Sequence, residues 1–186
     1  MSIKKPTIFI SIEIKSREFI PKCFLSYYLI KKGFRVYIGS NLTINLALKK
    51  SDPSIILHKS TWEGNSTYFK NLGHKFVLMD EEGGITTPRS LIKKYCKKRY
   101  KDISKDNTDL IFIPNNRFFY NIKNLPNLRG IKLLKTGWPR VDLWNSSYEY
   151  LYEDQIKKIK NKYGNFYLFV SSFGMTSSRS YKSRIK

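Results

Sequence analysis

Three consecutive carboxylates, Asp80, Glu81 and Glu82, are the residues of this sequence that most directly suggest acid–base chemistry. Adjacent carboxylates repel one another, and this repulsion raises the pKa of at least one of them. A carboxyl group whose pKa is raised toward neutrality is suited to act as a general base. Gly83 and Gly84 follow, and they would allow a tight turn or a close approach of the backbone to a ligand. The alternative interpretation is a solvated acidic turn with a glycine stop.

His58 and Lys59 form a second candidate pair. A histidine after a buried strand can serve in proton transfer, or it can be a structural imidazole with satisfied hydrogen bonds. The lysine can neutralise a phosphate or carboxylate, or it can be an ordinary surface residue. Arg17 lies between Glu13 and Glu18 in the sequence, which favours an ion-paired entrance to a helix. Alternatively, Arg17 holds an anionic substrate through a bidentate contact.

Short apolar runs that alternate with segments of helical period indicate how these residues are positioned. The runs are rich in Ile, Val and Phe, as is typical of strands buried on both faces. Buried strands separated by helices predict an α/β fold with a doubly wound, mostly parallel sheet. The six predicted strands are Thr7–Ile12, Phe34–Ile38, Ser54–Leu57, Lys75–Met79, Leu110–Ile113 and Ile131–Lys135.

The segments between these runs predict helices. Gly33 is expected to end the first helix, because a glycine just past the last turn is a common stop. Asn41 is expected to cap the second helix, and Pro88 to occupy the first turn of the fourth. The predicted helices are Glu18–Lys32, Asn41–Lys50, Thr61–Leu72 and Pro88–Lys98.

The ends of the predicted strands place the candidate residues at one edge of the sheet. Ligands of open parallel sheets bind beyond the carboxyl ends of the strands. His58-Lys59 follows the third predicted strand, the acidic cluster follows the fourth, and Arg140 follows the sixth. We therefore expect a polar crevice, open to solvent, in which the acidic cluster and the His58-Lys59 pair meet.

The last quarter of the chain predicts a change of domain. Tyr148–Lys162 has the pattern of a connecting helix, and Phe166–Val170 that of a further buried strand. We divide the chain into a first domain over 1–147, a connecting helix over 148–164, and the first strand and tail of an incomplete second domain over 165–186. This division predicts a truncated chain.

The charge of the chain favours anionic partners without identifying them. Its 186 residues contain 35 Lys and Arg against 14 Asp and Glu, a net charge of +21, and this excess is spread along the chain. Most of the cations are Lys, as an AT-rich genome would produce. Nucleotides, sugar phosphates and an acidic membrane leaflet are all compatible with this charge. As an indication of nucleic-acid binding alone, it is weak.

Several classes of site are not indicated by the sequence. GxGxxG, GxxxxGK[ST], HExxH and GxSxG are all absent, which argues against a dinucleotide fingerprint, a P-loop, a zincin site and a nucleophile elbow. Cys23 and Cys96 have no CxxC spacing, so neither a zinc ribbon nor a disulfide scaffold is expected. No apolar run approaches the roughly 18 residues of a membrane helix.

Six segments, taken in order, carry a resemblance to a known family. They are Pro6–Phe19, Gly33–Ser40, His58–Ser60, Gly73–Lys75, Asp80–Gly83 and Thr136–Asp142. Together they resemble the bacterial surface carbohydrate biosynthesis protein family, which is similar to GT-B glycosyltransferases and capsule-type Kdo transferases. The resemblance covers about residues 6–172. Trp138 stands where the family has Asn in a Gly-Asn-Pro-Arg motif.

The resemblance implies two Rossmann-like domains and a glycosyltransferase activity. The first domain would line the acceptor side of a cleft, and a C-terminal domain would bind most of the sugar nucleotide. The implied reaction transfers a sugar from a nucleotide donor to a glycan or lipid-linked acceptor in surface polysaccharide or lipopolysaccharide biosynthesis. It implies no cofactor besides the nucleotide-sugar substrate and no metal. The expected location is the cytoplasm, with peripheral contact at the anionic inner face of the membrane.

The resemblance also suggests roles for the candidate residues. Glu81 or Glu82 would be the base that deprotonates the acceptor hydroxyl. Arg140 would contact the domain boundary or a phosphate. Arg17, His58 and Lys59 would orient acidic groups of the substrate, and Glu13 and Arg140 are also expected to bind substrate.

Two alternatives stay open. The chain can be a non-catalytic remnant, a folded α/β module that binds an acceptor or partner without turning over a donor. It can also be a nucleic-acid-binding protein, although the charge of +21 is the sole support and no recognition motif accompanies it. The sequence predicts no oligomeric state.

Overall fold

The structure, a computed structural model, describes residues 5–61, 64–81 and 89–169. Glu82, Gly83 and Gly84 of the acidic cluster therefore lie outside the described residues. The contacts between residues divide the chain into two units, Met1–Ser146 and Ser147–Lys186.

A parallel sheet of six strands forms the centre of the first unit. Its order is β2-β1-β3-β4-β5-β6, and every neighbouring pair is parallel. With helices packed on the sheet, this is the predicted α/β, Rossmann-like architecture. The strands are β1 (Thr7–Ile12), β2 (Arg35–Ser40), β3 (Ile55–His58), β4 (Lys75–Met79), β5 (Leu110–Ile113) and β6 (Lys132–Lys135).

The described residues of the first unit form six α-helices. They are α1 (Lys15–Lys31), α2 (Asn41–Leu48), α3 (Asn65–Asn71), α4 (Ile92–Arg99), α5 (Asn116–Ile122) and α6 (Pro139–Asp142). Gly33 follows α1 with φ +91°, a conformation that glycine adopts without a steric penalty, so the expected stop is confirmed.

The helix boundaries differ from prediction at several places. The cap of α2 is Ser40, whose hydroxyl accepts a hydrogen bond from the Thr43 N–H, and not Asn41. The fourth helix begins at Ile92, after a short 3-10 turn over Arg89–Leu91. The two short helices α5 and α6 were not predicted, because four to seven residues give too few helical periods to read from a sequence.

Both faces of the sheet bury apolar side chains. On one face, α2 and α3 pack against Phe9, Ile56 and Phe76. Farther along that same layer, side chains of α4 and α5 pack around Ile111 and Ile113. On the opposite face, α1 packs its Leu25 and Leu29 against a separate cluster, which contains Ile8, Ile10, Leu57, Val77 and Met79. This alternation along each strand is the pleat expected of a doubly covered sheet.

A 3-10 segment, Ser146–Tyr152, begins at the last residue of the first unit, and α7 (Glu153–Tyr163) follows it in the second unit. The predicted connecting helix therefore begins five residues later than expected. Phe166 to Phe169 have no regular secondary structure and are exposed, so these residues do not form the predicted buried strand. Val170 and all later residues lie outside the described part of the chain. Within the described residues, no helix combines the length and the hydropathy needed to cross a bilayer.

Candidate functional site

The register of the sheet places the candidate residues at one edge. His58, the last residue of β3, pairs with Leu78 of β4. Asp80 and Glu81 come just after the end of β4, so they lie near the end of β3 as well. β1 lies on the other side of β3, and Glu13 follows the end of β1. The expectation that the acidic segment and the His58-Lys59 pair meet at the same sheet edge is confirmed for the described residues.

A buried ion pair on α1 lies beneath this edge. Glu18 and Lys22 are 2% and 3% exposed. The Lys22 Nζ donates to Glu18 Oε2 at 2.8 Å and to the main-chain oxygen of Ser11 at 2.7 Å. Since Ser11 belongs to β1, these contacts fasten α1 to the sheet where the candidate residues converge.

The Glu18 carboxylate accepts further hydrogen bonds. The Glu13 main-chain N–H donates to Oε2 at 3.0 Å, and Arg17 donates to Oε1 at 2.8 Å. Burial by itself raises the pKa of Glu18, but the hydrogen bonds and positive charges of Lys22 and Arg17 outweigh it and hold the pKa below its usual value. Glu18 is therefore a fixed negative charge at neutral pH.

Glu81 is a buried carboxyl group in a different environment. It is 5% exposed, and its Oε2 lies 3.9 Å from the Lys22 Nζ. Its Oε1 is buried and accepts no hydrogen bond from the described residues. Burial raises the pKa of Glu81, which the nearby Lys22 charge partly opposes. A carboxyl group of raised pKa, with an acceptor oxygen that no donor among the described residues occupies, is suited to act as a general base.

The cause of the raised pKa of Glu81 differs from the one predicted. Asp80 does not crowd Glu81, because its carboxylate forms a bidentate pair with Arg99 at 2.8 and 2.9 Å. Burial, rather than repulsion within the acidic cluster, dominates the raised pKa of Glu81. The edge is also less open than expected, since Asp80 and Glu81 are both buried. Nothing in the described residues bears on Glu82.

His58 is a neutral group at physiological pH. Burial lowers its pKa to about 4, although a hydrogen bond to the Ser60 main chain opposes this shift. The His58 Nδ1 lies 2.8 Å from the Ser60 main-chain oxygen and 3.1 Å from the Ser60 main-chain nitrogen. A cationic contact between His58 and an acidic substrate group is therefore not supported at neutral pH. Lys59 forms an ion pair with Glu13, so two expected substrate-binding residues contact each other.

Arg140 and Trp138 connect α6 to the segment that carries Glu81. The Trp138 indole N–H donates to the main-chain oxygen of Asp80 at 2.6 Å. Arg140 donates to the main-chain oxygen of Glu81 at 3.1 Å, while its Nε is buried and unpartnered among the described residues. Residues that follow β4 and β6 thus lie together. This agrees with the expectation that Arg140, because it follows the sixth strand, lies at the same sheet edge as the acidic cluster.

Sequence reasoning missed Lys22 and Arg99. Lys22 is four residues after Glu18, and this spacing is a recognised signal for a helical ion pair. Arg99 had no such signal, because α4 brings it to Asp80 from 19 residues away in the sequence.

Two small cavities flank the candidate residues. One of about 190 Å³ is lined by polar groups that include Lys59, Asp80 and Arg99. The other, of about 230 Å³, is mostly apolar and is lined by Leu25, Met79, Phe112, Thr136, Gly137, Pro139 and Asp142. Among the described residues, no group of three or more His, Cys, Asp or Glu side chains is arranged to hold a metal ion.

No family model, curated protein or solved structure matches this chain.

Proposed function

We propose that this protein acts as a GT-B-like glycosyltransferase in surface polysaccharide or lipopolysaccharide assembly. It would transfer a sugar from a nucleotide donor to a hydroxyl of a glycan or lipid-linked acceptor. The observation that supports the proposal best is Glu81, a buried carboxyl group at the carboxyl edge of a parallel sheet, with one oxygen that has no hydrogen-bond partner among the described residues. The resemblance of six sequence segments to surface carbohydrate biosynthesis proteins gives the reaction class.

In this proposal, Glu81 accepts the proton of the acceptor hydroxyl. The acceptor oxygen then forms a bond to the anomeric carbon of the donor sugar, while the bond from that carbon to the phosphate oxygen breaks. The nucleotide leaves with the electron pair of that bond. Burial makes Glu81 a stronger base once ionised, and the Lys22 ammonium at 3.9 Å stabilises the ionised form.

The surrounding residues have supporting roles in this proposal. Arg17 and Arg140 both act electrostatically on Glu81, so an anionic acceptor group beside the reacting hydroxyl would meet positive charge there. Lys59 lines the 190 Å³ polar cavity and would contact a second polar group of the acceptor. Because His58 is neutral, it would contribute hydrogen bonding rather than charge.

A direct test uses the full chain with UDP-, GDP- and CMP-linked sugars and p-nitrophenyl glycosides as acceptors. Free nucleotide and the mass of the glycoside report the transfer. We expect turnover by the wild type and a fall of about 10²–10⁴-fold in Glu81→Gln, the range typical of a lost general base. Glu149→Gln, a change of the same chemistry at an exposed position, is the matched control and should retain full activity.

The outcomes separate the alternatives. Unchanged turnover in Glu81→Gln would remove Glu81 from the reaction. Absence of transfer by the wild type across the panel, with acceptor binding retained, would support a partner-binding module instead. Circular dichroism of each variant would show whether the fold is intact.

A further inference from the structure

The first helix exposes an apolar surface. Five of its large side chains, Phe19, Ile20, Tyr27, Tyr28 and Ile30, are between 43% and 57% exposed, and we call this set the α1 outer face. Ile20 and Tyr27 are seven residues apart and therefore lie on the same side of the helix, two turns from each other. The rings of Tyr27 and Tyr28 contact each other edge to face, with their centroids 5.3 Å apart.

The same helix buries polar groups. Glu18, Lys22 and Ser26 are all buried, in contacts with one another and with β1. A surface helix of a globular protein normally turns its apolar stripe inward and its charged residues outward. A buried ion pair occupies part of the inward side of α1. The outward side carries apolar side chains, and these are exposed in the described part of the chain. Exposed apolar side chains grouped in this way on one helix are a common mark of an interaction surface.

Positive charges border the α1 outer face. The Lys15 Nζ lies 5.9 Å from the centre of the Phe19 ring, and the Lys31 Nζ lies 5.3 Å from that of Tyr27. Lys32 follows directly, exposed at the end of the helix. Residues 19–51 contain no Asp or Glu. Aromatic and branched aliphatic side chains with lysines at their margins are the composition of helices that lie in a membrane interface.

We propose that the α1 outer face binds the surface of an anionic lipid bilayer. The isoleucine and aromatic side chains would enter the boundary between headgroups and acyl chains, and Lys15, Lys31 and Lys32 would contact lipid phosphates. A second copy of the chain is the weaker alternative, because two such faces would bring lysines together with no acidic partner. This inference is independent of the proposed transferase activity.

Vesicle co-sedimentation of the full chain tests the proposal. Vesicles of phosphatidylcholine alone are compared with vesicles that also contain phosphatidylglycerol, whose negative surface potential attracts basic segments. We expect binding to the anionic vesicles and little to the neutral ones. Equal binding to both, or to neither, would overturn the proposal.

Two matched pairs of apolar changes locate the surface. Ile20→Ser with Ile30→Ser alters the α1 outer face at positions 55% and 57% exposed. Leu42→Ser with Leu46→Ser changes two leucines of α2 that are 71% and 55% exposed. We expect the first pair to reduce partitioning at least about 10-fold and the second less than about 2-fold, because only the first removes apolar groups that would enter the bilayer. Equal losses in both pairs would contradict the proposal.

A second comparison separates a local surface from the general charge of the protein. Two double variants lower the net charge by the same amount. One combines Lys31→Gln with Lys32→Gln, and the other combines Lys49→Gln with Lys50→Gln. All four lysines are exposed. Only the first pair should weaken binding several-fold. Equal weakening would mean that the overall charge of +21 is responsible and would reject the α1 outer face. If Ile20→Ser with Ile30→Ser converts a dimer to a monomer and leaves lipid binding unchanged, the face is a contact between copies.

Discussion

Trp138 and Asp80 are 58 residues apart in the sequence, and the indole N–H of the first donates to the main-chain oxygen of the second at 2.6 Å. This bond connects the start of α6 to the segment that follows β4, directly before Glu81. Trp138 is 4% exposed, so the bond is shielded from water. The position of the Glu81 backbone is therefore set partly by a residue that follows a different strand.

Trp138→Phe should destabilise the fold by about 1–3 kcal/mol, because the buried oxygen of Asp80 loses its donor. Urea unfolding followed by circular dichroism measures the change. The control is Trp144→Phe, since Trp144 is 70% exposed and its substitution should shift the midpoint little. Equal effects of the two changes would show that the 2.6 Å bond does not contribute to stability.

Lys22→Met should destabilise the protein by about 3–5 kcal/mol, because Glu18 would lose its ammonium partner in a buried site. Lys31→Met is the control at an exposed position of the same helix. Adding Glu18→Gln to Lys22→Met should recover part of the loss, since the buried carboxylate charge is then also removed. A double-mutant cycle gives the coupling between the two residues. Additive losses would argue against a coupled ion pair.

Glu81→Gln should be more stable than the wild type at high pH, and this difference should become smaller as the pH falls. The pKa of Glu81 is raised in the folded state, so its contribution to stability is fully present below the unfolded pKa and is lost as the pH rises through the folded pKa. Glutamine removes this loss. Thermal melts should show a higher Tm than wild type at pH 8, by at least about 2 °C if roughly 1 kcal/mol is recovered, and a small difference at pH 4.

The control for this pH dependence is Glu149→Gln, whose melting curve should run parallel to that of the wild type across the same range. A gain for Glu81→Gln that is largest at low pH would reverse the sign and contradict the raised pKa. If Glu81 is a buried base, Glu81→Gln should be more stable than the wild type at high pH and less active in the transfer assay.

His58 should remain neutral at pH 5. Burial lowers its pKa to about 4, so the folded protein binds a proton less readily than the unfolded chain. The unfolding free energy should therefore decrease as the pH falls from about 6.5 to 4, by about 3 kcal/mol if the full shift is expressed. The chain has two histidines, and His74→Gln would assign their NMR signals. A ring-proton titration midpoint near 6.5 for His58 would contradict its burial in solution.

Much of the sheet could be predicted because its signal is local. β1, β4 and β5 begin and end where the apolar runs begin and end, and the other three strands shift by one or two residues. A strand buried on both faces is almost wholly apolar, so its bounds are visible in a few consecutive residues. The parallel arrangement then follows from the helices between the strands, and with it the edge shared by His58 and Glu81.

The pairing of charges could not be predicted in the same way. Asp80 and Glu81 are adjacent in the sequence, yet one pairs with Arg99 on α4 and the other lies near Lys22 on α1. Consecutive residues beyond a strand can turn to different sides of the sheet, and the side each takes depends on packing across crossovers of many residues. The sequence alone determined the type of fold and the sheet edge at which the candidate residues converge. Tertiary structure decided that Asp80 pairs with an arginine, whereas Glu81 has an oxygen without a partner among the described residues. Burial and distance set those electrostatics, and neither is a local property of the chain.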